Sequence, residues 1–171
     1  MTEIETRRLR LRPLREDDAA HFAGLFAGDW EAVKHTGRMP FPATEPAMRG
    51  WIRQHLEGGA QGFLVTRKSD QRAMGAAGFG GDERTAELGY ALGRPFWGQG
   101  FATEAAVALV AHASHLGLVE LEAFSFVENP ASGRVLHKAG FEDFGIIDRD
   151  YPARGGARAV RHFRKFLKGG T

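Results

Sequence analysis

The chain has 171 residues, 43% of them hydrophobic and 26% charged, with 23 basic against 21 acidic side chains and no cysteine. That length suits one domain spanning 1–171, able to bury its own core, and the composition excludes collagen, coiled coil and bulk disorder. The absence of cysteine excludes disulfides, a thiolate nucleophile and thiolate-ligated metal, and a net charge of +2 creates no demand for a nucleic-acid partner. From the first residue onward, Met1 to Glu5 hold neither a basic segment nor an apolar run, so no signal peptide is expected. No apolar stretch approaches the ~20 residues of a membrane span, so the expectation is a soluble, cytoplasmic protein with no membrane partner. Thr6 to Leu14 alternates leucine with arginine, which predicts a half-buried strand with a cationic, solvated outer face. Glu16-Asp17-Asp18 then begins a helix whose buried face is Ala19, Phe22, Ala23 and Phe26.

Between Gly28 and Pro46 the glycine and prolines break any long element. Thr44 followed by Glu45-Pro46 reads as an N-cap with proline in the first turn, opening an amphipathic helix that stops at Gly58-Gly59. The centre is strand-rich: Gly62 to Arg67, a turn at Ser69 to Gln71, a glycine-rich strand from Ala73 to Gly80, and Glu87 to Leu92. A loop through Gly93 to Gly100 leads into an alanine-rich helix from Ala102 to Leu116. Leu118 to Glu128 reads as a strand, Pro130 to Ala139 as a helix, and Phe141 to Ile147 as a strand. The tail, Ala159 to Leu167, fits a last antiparallel strand, with a helix as the competing reading. The order predicts a mixed α/β sheet and not a series of βαβ units.

The segment Gly98-Gln99-Gly100-Phe101-Ala102-Thr103 lies between a strand and the first turn of a helix. The first four amides of a helix have no internal acceptor and sit at the positive end of its dipole, and glycines let an anion approach them. Three readings follow: a plain turn, a dinucleotide fingerprint, and a coenzyme A diphosphate loop. Against the fingerprint, Glu120, Glu122 and Glu128 are each misplaced for the ribose-binding acid, and the loop follows about ninety residues of other material.

The stretch Glu87-Leu88-Gly89-Tyr90-Ala91-Leu92 with Phe96-Trp97-Gly98-Gln99-Gly100-Phe101-Ala102-Thr103-Glu104-Ala105 resembles motif A of the GNAT acetyltransferase superfamily. Glu128-Asn129-Pro130-Ala131-Ser132 and Lys138-Ala139-Gly140-Phe141-Glu142 resemble its motif B. The opening Leu9 to Leu14 with Asp17-Asp18 is similar to the branch containing the ribosomal-protein alanine N-acetyltransferases. The resemblance implies a sheet of six or seven strands, flanked by about four helices and splayed where two parallel central strands part, with acetyl-CoA as co-substrate in the cleft and no metal. It places the diphosphate on amides of Gln99, Gly100, Phe101, Ala102 and Thr103, the pantetheine along Glu87 to Leu92, and an oxyanion donor at Ala91 or Leu92. Trp97 stands where the superfamily often has glutamine or arginine, and is expected to pack. The matching asparagine and serine, Asn129 and Ser132, would bind the coenzyme and protonate the departing thiolate; helix capping explains the same two residues. Leu136 occupies the position of the tyrosine acid used by many relatives, which favours Ser132.

The expected reaction is direct attack of a primary amine, from a small molecule or a protein N-terminus, on acetyl-CoA. Glu87 is the acid–base candidate, with a surface strand residue as its plain alternative. An acyl-CoA sensor without catalysis and a nicotinamide oxidoreductase are the rival functions. The acceptor should be chosen by the region from Gly28 to Pro46, where Trp30, His35 and Phe41 are candidates to line its pocket, with simple packing as the alternative, and by Asp148 to Tyr151, whose acids hint at a cationic acceptor. A second copy of the chain, giving a homodimer, is an open partner.

Overall fold

The computed structural model describes residues 2–168. Its strands are β1 (Ile4–Glu5), β2 (Leu9–Pro13), β3 (Gln61–Arg67), β4 (Ala73–Gly81), β5 (Thr85–Leu92), β6 (Glu120–Phe126), β7 (Glu142–Tyr151) and β8 (Gly156–Phe166). Its α-helices are α1 (Ala19–Phe26), α2 (Trp30–Val33), α3 (Glu45–Glu57), α4 (Phe101–His115) and α5 (Pro130–Lys138). The eight strands form one sheet in the order β1-β2-β3-β4-β5-β6-β8-β7. The counts exceed the expected six to seven strands and four helices by two short pieces, the two-residue β1 and the single-turn α2. Neither is long enough to show a period in sequence.

Local chemistry accounts for the elements. Leu9 and Leu11 of β2 are fully buried, and the arginines between them take the other face. That face is not simply solvated, as its charge pattern predicts. Arg12 makes a bidentate pair with the buried Asp18 at 2.6 and 3.0 Å, and Arg10 reaches Glu5 at 3.2 Å. Thr44 caps α3 by accepting from the Ala47 amide at 3.3 Å, with proline in the first turn, and Met48 and Ile52 are buried on one face. The tail is a strand because β8 is hydrogen-bonded on both sides, by β6 and by β7, with Val160 and Phe163 buried. Backbone groups satisfied on both edges outweigh the weak helical pattern.

Each face of the sheet carries its own core. Phe63, Leu88, Leu109, Leu121 and Phe141 join α4 and α5 to one face, while Phe22, Phe26, Met48 and Ile52 join α1 and α3 to the other. Burying one such side chain contributes about 1.5–3 kcal/mol, so these clusters outweigh the exposed ion pairs.

The middle of the sheet positions the site. β5 and β6 are parallel and pair only over Thr85 to Glu87 against Glu120 to Glu122. Beyond that point β5 stays with β4 up to Leu92, and β6 stays with β8 up to Phe126. The two central strands therefore part, and the seam between them opens.

Candidate functional site

The seam is the floor of a cavity of about 470 Å³, lined among others by Glu87, Gly89, Tyr90, Ala91, Phe124 and Ser132. Which backbone groups of β5 face the gap follows from its ladder. Gly93 donates to the Met74 carbonyl at 2.9 Å, and alternation along an antiparallel pair then turns Ala91, Gly89 and Glu87 toward β4. Leu92, Tyr90 and Leu88 are left facing the gap. Of the two amides expected near the thioester, Leu92 is the one free of the ladder. The Leu92 carbonyl is taken by the Trp97 indole, which donates from Nε1 at 2.7 Å. Trp97 is 47% exposed, so it does not pack inside as expected; it ties the loop to the end of β5.

At the mouth of α4 the chain turns through two left-handed glycines, Gly98 with φ of 71° and Gly100 with φ of 80°. Neither a Cβ at Gly98 nor any protein acceptor obstructs the approach. Among the described residues, the amides of Gly98, Gln99, Gly100, Phe101, Ala102 and Thr103 donate to no protein group; the ladder begins with Glu104 bonding the Gly100 carbonyl at 3.0 Å. Six consecutive donors therefore converge at the positive end of a 15-residue helix.

An acid in that first turn would oppose an anion, and Glu104 is there. The turn between β1 and β2 neutralises it. The Arg8 Nε donates to Glu104 at 2.7 Å, the Arg8 amide at 2.8 Å, and the Thr6 hydroxyl at 2.6 Å. Burial works to raise the Glu104 pKa, but these bonds together hold it below the ordinary carboxylate value. Arg8 also donates to the Gln99 carbonyl at 3.0 Å and lies over the Phe101 ring at 4.3 Å. Its remaining guanidinium nitrogen is 3.4 Å from where a Cβ on Gly100 would be. The leucine–arginine alternation concealed this residue, because its partners lie 91 to 96 positions away.

Ser132 and Asn129 sit on the α5 side of the seam. Asn129 stands at the N-cap position of α5 with no side-chain capping bond, so capping does not account for it. Ser132 is joined to Tyr90, hydroxyl to hydroxyl, at 2.7 Å, and the Tyr90 hydroxyl also reaches the Ser132 carbonyl at 3.2 Å. Burial pushes the Tyr90 pKa up to about 12 against the pull of that bond. Tyr90 stays protonated at neutral pH, and its one proton is shared between the Ser132 hydroxyl and the Ser132 carbonyl. Strand alternation alone could not reveal Tyr90, which sits between Leu88 and Leu92 as one more member of an apolar face. Leu136, in the position of the usual tyrosine acid, is buried.

The opposite wall is made of side chains from distant segments. Arg149 grips the Glu87 carboxylate through both terminal nitrogens, at 3.0 and 2.8 Å, and stacks on Phe124 at 3.8 Å. Burial raises the Glu87 pKa, but the Arg149 bonds and the nearby Arg38 outweigh it and leave it below the ordinary value. Arg38 approaches Glu87 at 3.6 Å and is 63% exposed. The loop that carries His35 to Met39 is held against the β7–β8 turn. Arg154, itself buried, donates to Val33 O at 3.2 Å, Thr36 Oγ1 at 3.1 Å and Met39 O at 2.6 Å. Gly37 lies so close to the Tyr151 ring that a Cβ would strike it. The two segments expected to select the acceptor thus meet in space. His35 lines the cavity, Trp30 lines an adjoining hollow, and Phe41 packs edge-on against Trp30 at 5.0 Å. The hint of a cationic acceptor does not survive. Asp148 and Asp150 are exposed on the outer face of β7, while Arg149 and Tyr151 point inward. Among the described residues, no group of three or more histidine, aspartate or glutamate side chains is placed to hold a metal ion, and no helix is long and apolar enough to cross a membrane.

Comparison with known proteins agrees with this arrangement. Residues 8–142 match the family described as the acetyltransferase (GNAT) domain. The chain is 33% identical over 159 residues to the uncharacterized N-acetyltransferase p20 of Bacillus licheniformis, covering 88% of each chain. Its fold is similar to RimL, a ribosomal L7/L12 alpha-N-protein acetyltransferase solved with coenzyme A, with a TM-score of 0.82 at 20% identity over 97% of this chain and 98% of that one. The ribosomal-protein-S5-alanine acetyltransferase of Vibrio fischeri gives 0.82 at 18% identity over 98% of each. Given a splayed parallel pair, an open row of amides and a family match over most of its length, the chain belongs to the GNAT acetyltransferases and is an N-acetyltransferase.

Proposed function

We propose that the protein moves the acetyl group of acetyl-CoA directly to a primary amine, with the diphosphate on the amides from Gln99 to Thr103 and the thioester in the seam beside Leu92. The observation that carries this reading is the row of six amides without a protein acceptor at one end of an open seam. The free edge of Arg8 adds a cation on the same side, and Glu104 is already neutralised. Asn129, which caps nothing, is available to the coenzyme from α5.

In the step itself, the amine nitrogen bonds to the carbonyl carbon and the oxyanion forms against the Leu92 amide. The carbon–sulfur bond then breaks and the departing sulfur takes a proton through the Ser132 hydroxyl, which receives one from water in the same step, so that no alkoxide forms. Tyr90 holds the serine in place through the bond between the two hydroxyls, and with its pKa pushed up to about 12 it stays protonated at neutral pH. Glu87 is less suited to the acid–base role than its position on the strand suggests. With two arginines on it, it is a weak base at any pH where the acceptor amine is neutral. The excess amine proton leaves to water through the open cleft, and positioning supplies most of the catalysis.

Steady-state release of CoA thiol across a panel of primary amines tests the proposal. Release with at least one amine is expected, and Ser132→Ala should cut kcat about tenfold or more while leaving acetyl-CoA affinity within about twofold. Tight acetyl-CoA binding with no release by any amine would overturn it in favour of a sensor.

A further inference from the structure

The wall beside Glu87 sets two guanidiniums, Arg38 and Arg149, against one carboxylate. Arg149 is matched by Glu87, Lys34 by Glu31 at 2.7 Å, and Arg158 by Glu128. Burial and the neighbouring Lys34 lower the His35 pKa, which disfavours a further cation there. Among the described residues that line the cavity Arg38 is the one arginine or lysine, and it has no carboxylate to itself: it shares Glu87 at 3.6 Å with Arg149, which already holds it in two bonds. Its backbone is fixed, since the loop is clamped by Arg154 and seated on Tyr151. A pinned segment presenting an exposed, unmatched guanidinium at the mouth of a cavity is suited to receiving an anion.

Its distance from the chemistry restricts which anion. Glu87, the residue Arg38 leans on, lies three to five positions along β5 from Tyr90 and Leu92, or roughly 10–16 Å at about 3.3 Å per residue. The amine and carboxylate of a free amino acid share a single carbon and cannot span that gap. An extended peptide covers it in about three to five residues. Resting on the acetyltransferase reading above, we propose that the acceptor is the N-terminal amine of a peptide carrying an acidic side chain within its first few residues, and that Arg38 receives that side chain.

The test measures acetylation of three peptides of equal length, alike except that positions two to five are glutamate, alanine or lysine, by wild type and by Arg38→Glu. Wild type should favour the acidic over the basic peptide by about fivefold or more in kcat/KM, mainly through KM, with the preference shrinking as salt rises. Arg38→Glu should reverse the order. Equal rates, a preference for lysine, or an acidic preference that Arg38→Glu leaves intact would each overturn the proposal. So would transfer to small amines but to none of the peptides. Failure of every amine, with acetyl-CoA bound, would remove the acetyltransferase reading itself and this inference with it.

Discussion

The two walls of the seam are built in opposite ways. The coenzyme wall is backbone: six neighbouring amides at one helix mouth, arranged by two glycines and needing little from the side chains there. The acceptor wall is side chains: Glu87 meets Arg149 from 62 residues away, and Arg154 meets Thr36 from 118 residues away. A diphosphate is the same in every reaction that uses it, so a local backbone device suffices. An acceptor differs between relatives, and side chains on loops can change without disturbing the ladder.

Four substitutions should separate the walls. The largest effect is expected from Gly100→Asp, which places a carboxylate among the diphosphate donors. Acetyl-CoA affinity measured by calorimetry should fall at least about a hundredfold, with the peptide preference of any residual activity unchanged. Arg154→Met should act on the other wall alone. Losing the bonds to Val33, Thr36 and Met39 should lower stability by about 2–4 kcal/mol in urea unfolding and raise the acceptor KM about tenfold, with the acetyl-CoA KM within about twofold. The smallest and most discriminating pair is Arg8→Ala with Glu104→Gln. If Arg8 serves the diphosphate, the first should weaken acetyl-CoA about fivefold and the second should not weaken it, because removing the acid favours an anion. The Arg8→Ala loss should vanish with acetyl-pantetheine, which lacks the diphosphate. Equal losses in both variants with both substrates would reduce Arg8 to a tie between the first strands and α4.

This asymmetry also explains what could be read from the sequence. The loop from Gly98 to Thr103 and the helix after it are contiguous, so spacing alone exposes them, and every strand of the sheet except the two-residue β1 falls within a few residues of its expected limits. Arg8, Arg38, Arg149 and Arg154 are cations on strands or in broken segments, where solvation is the ordinary expectation. Only the fold reveals that Arg8 meets Glu104 or that Arg154 holds a loop more than a hundred residues away. Tyr90 was hidden differently, as one more apolar position on a strand. The Asp148 and Asp150 pair misled because alternation along β7 turns both away from the cleft.

Amide hydrogen exchange on Gly98 to Thr103, with and without acetyl-CoA, addresses the central claim most directly. Strong protection of these amides on binding, with little change at Glu120 to Phe126, is the expected result. Saturating acetyl-CoA that leaves the exchange of these amides unchanged would contradict the account.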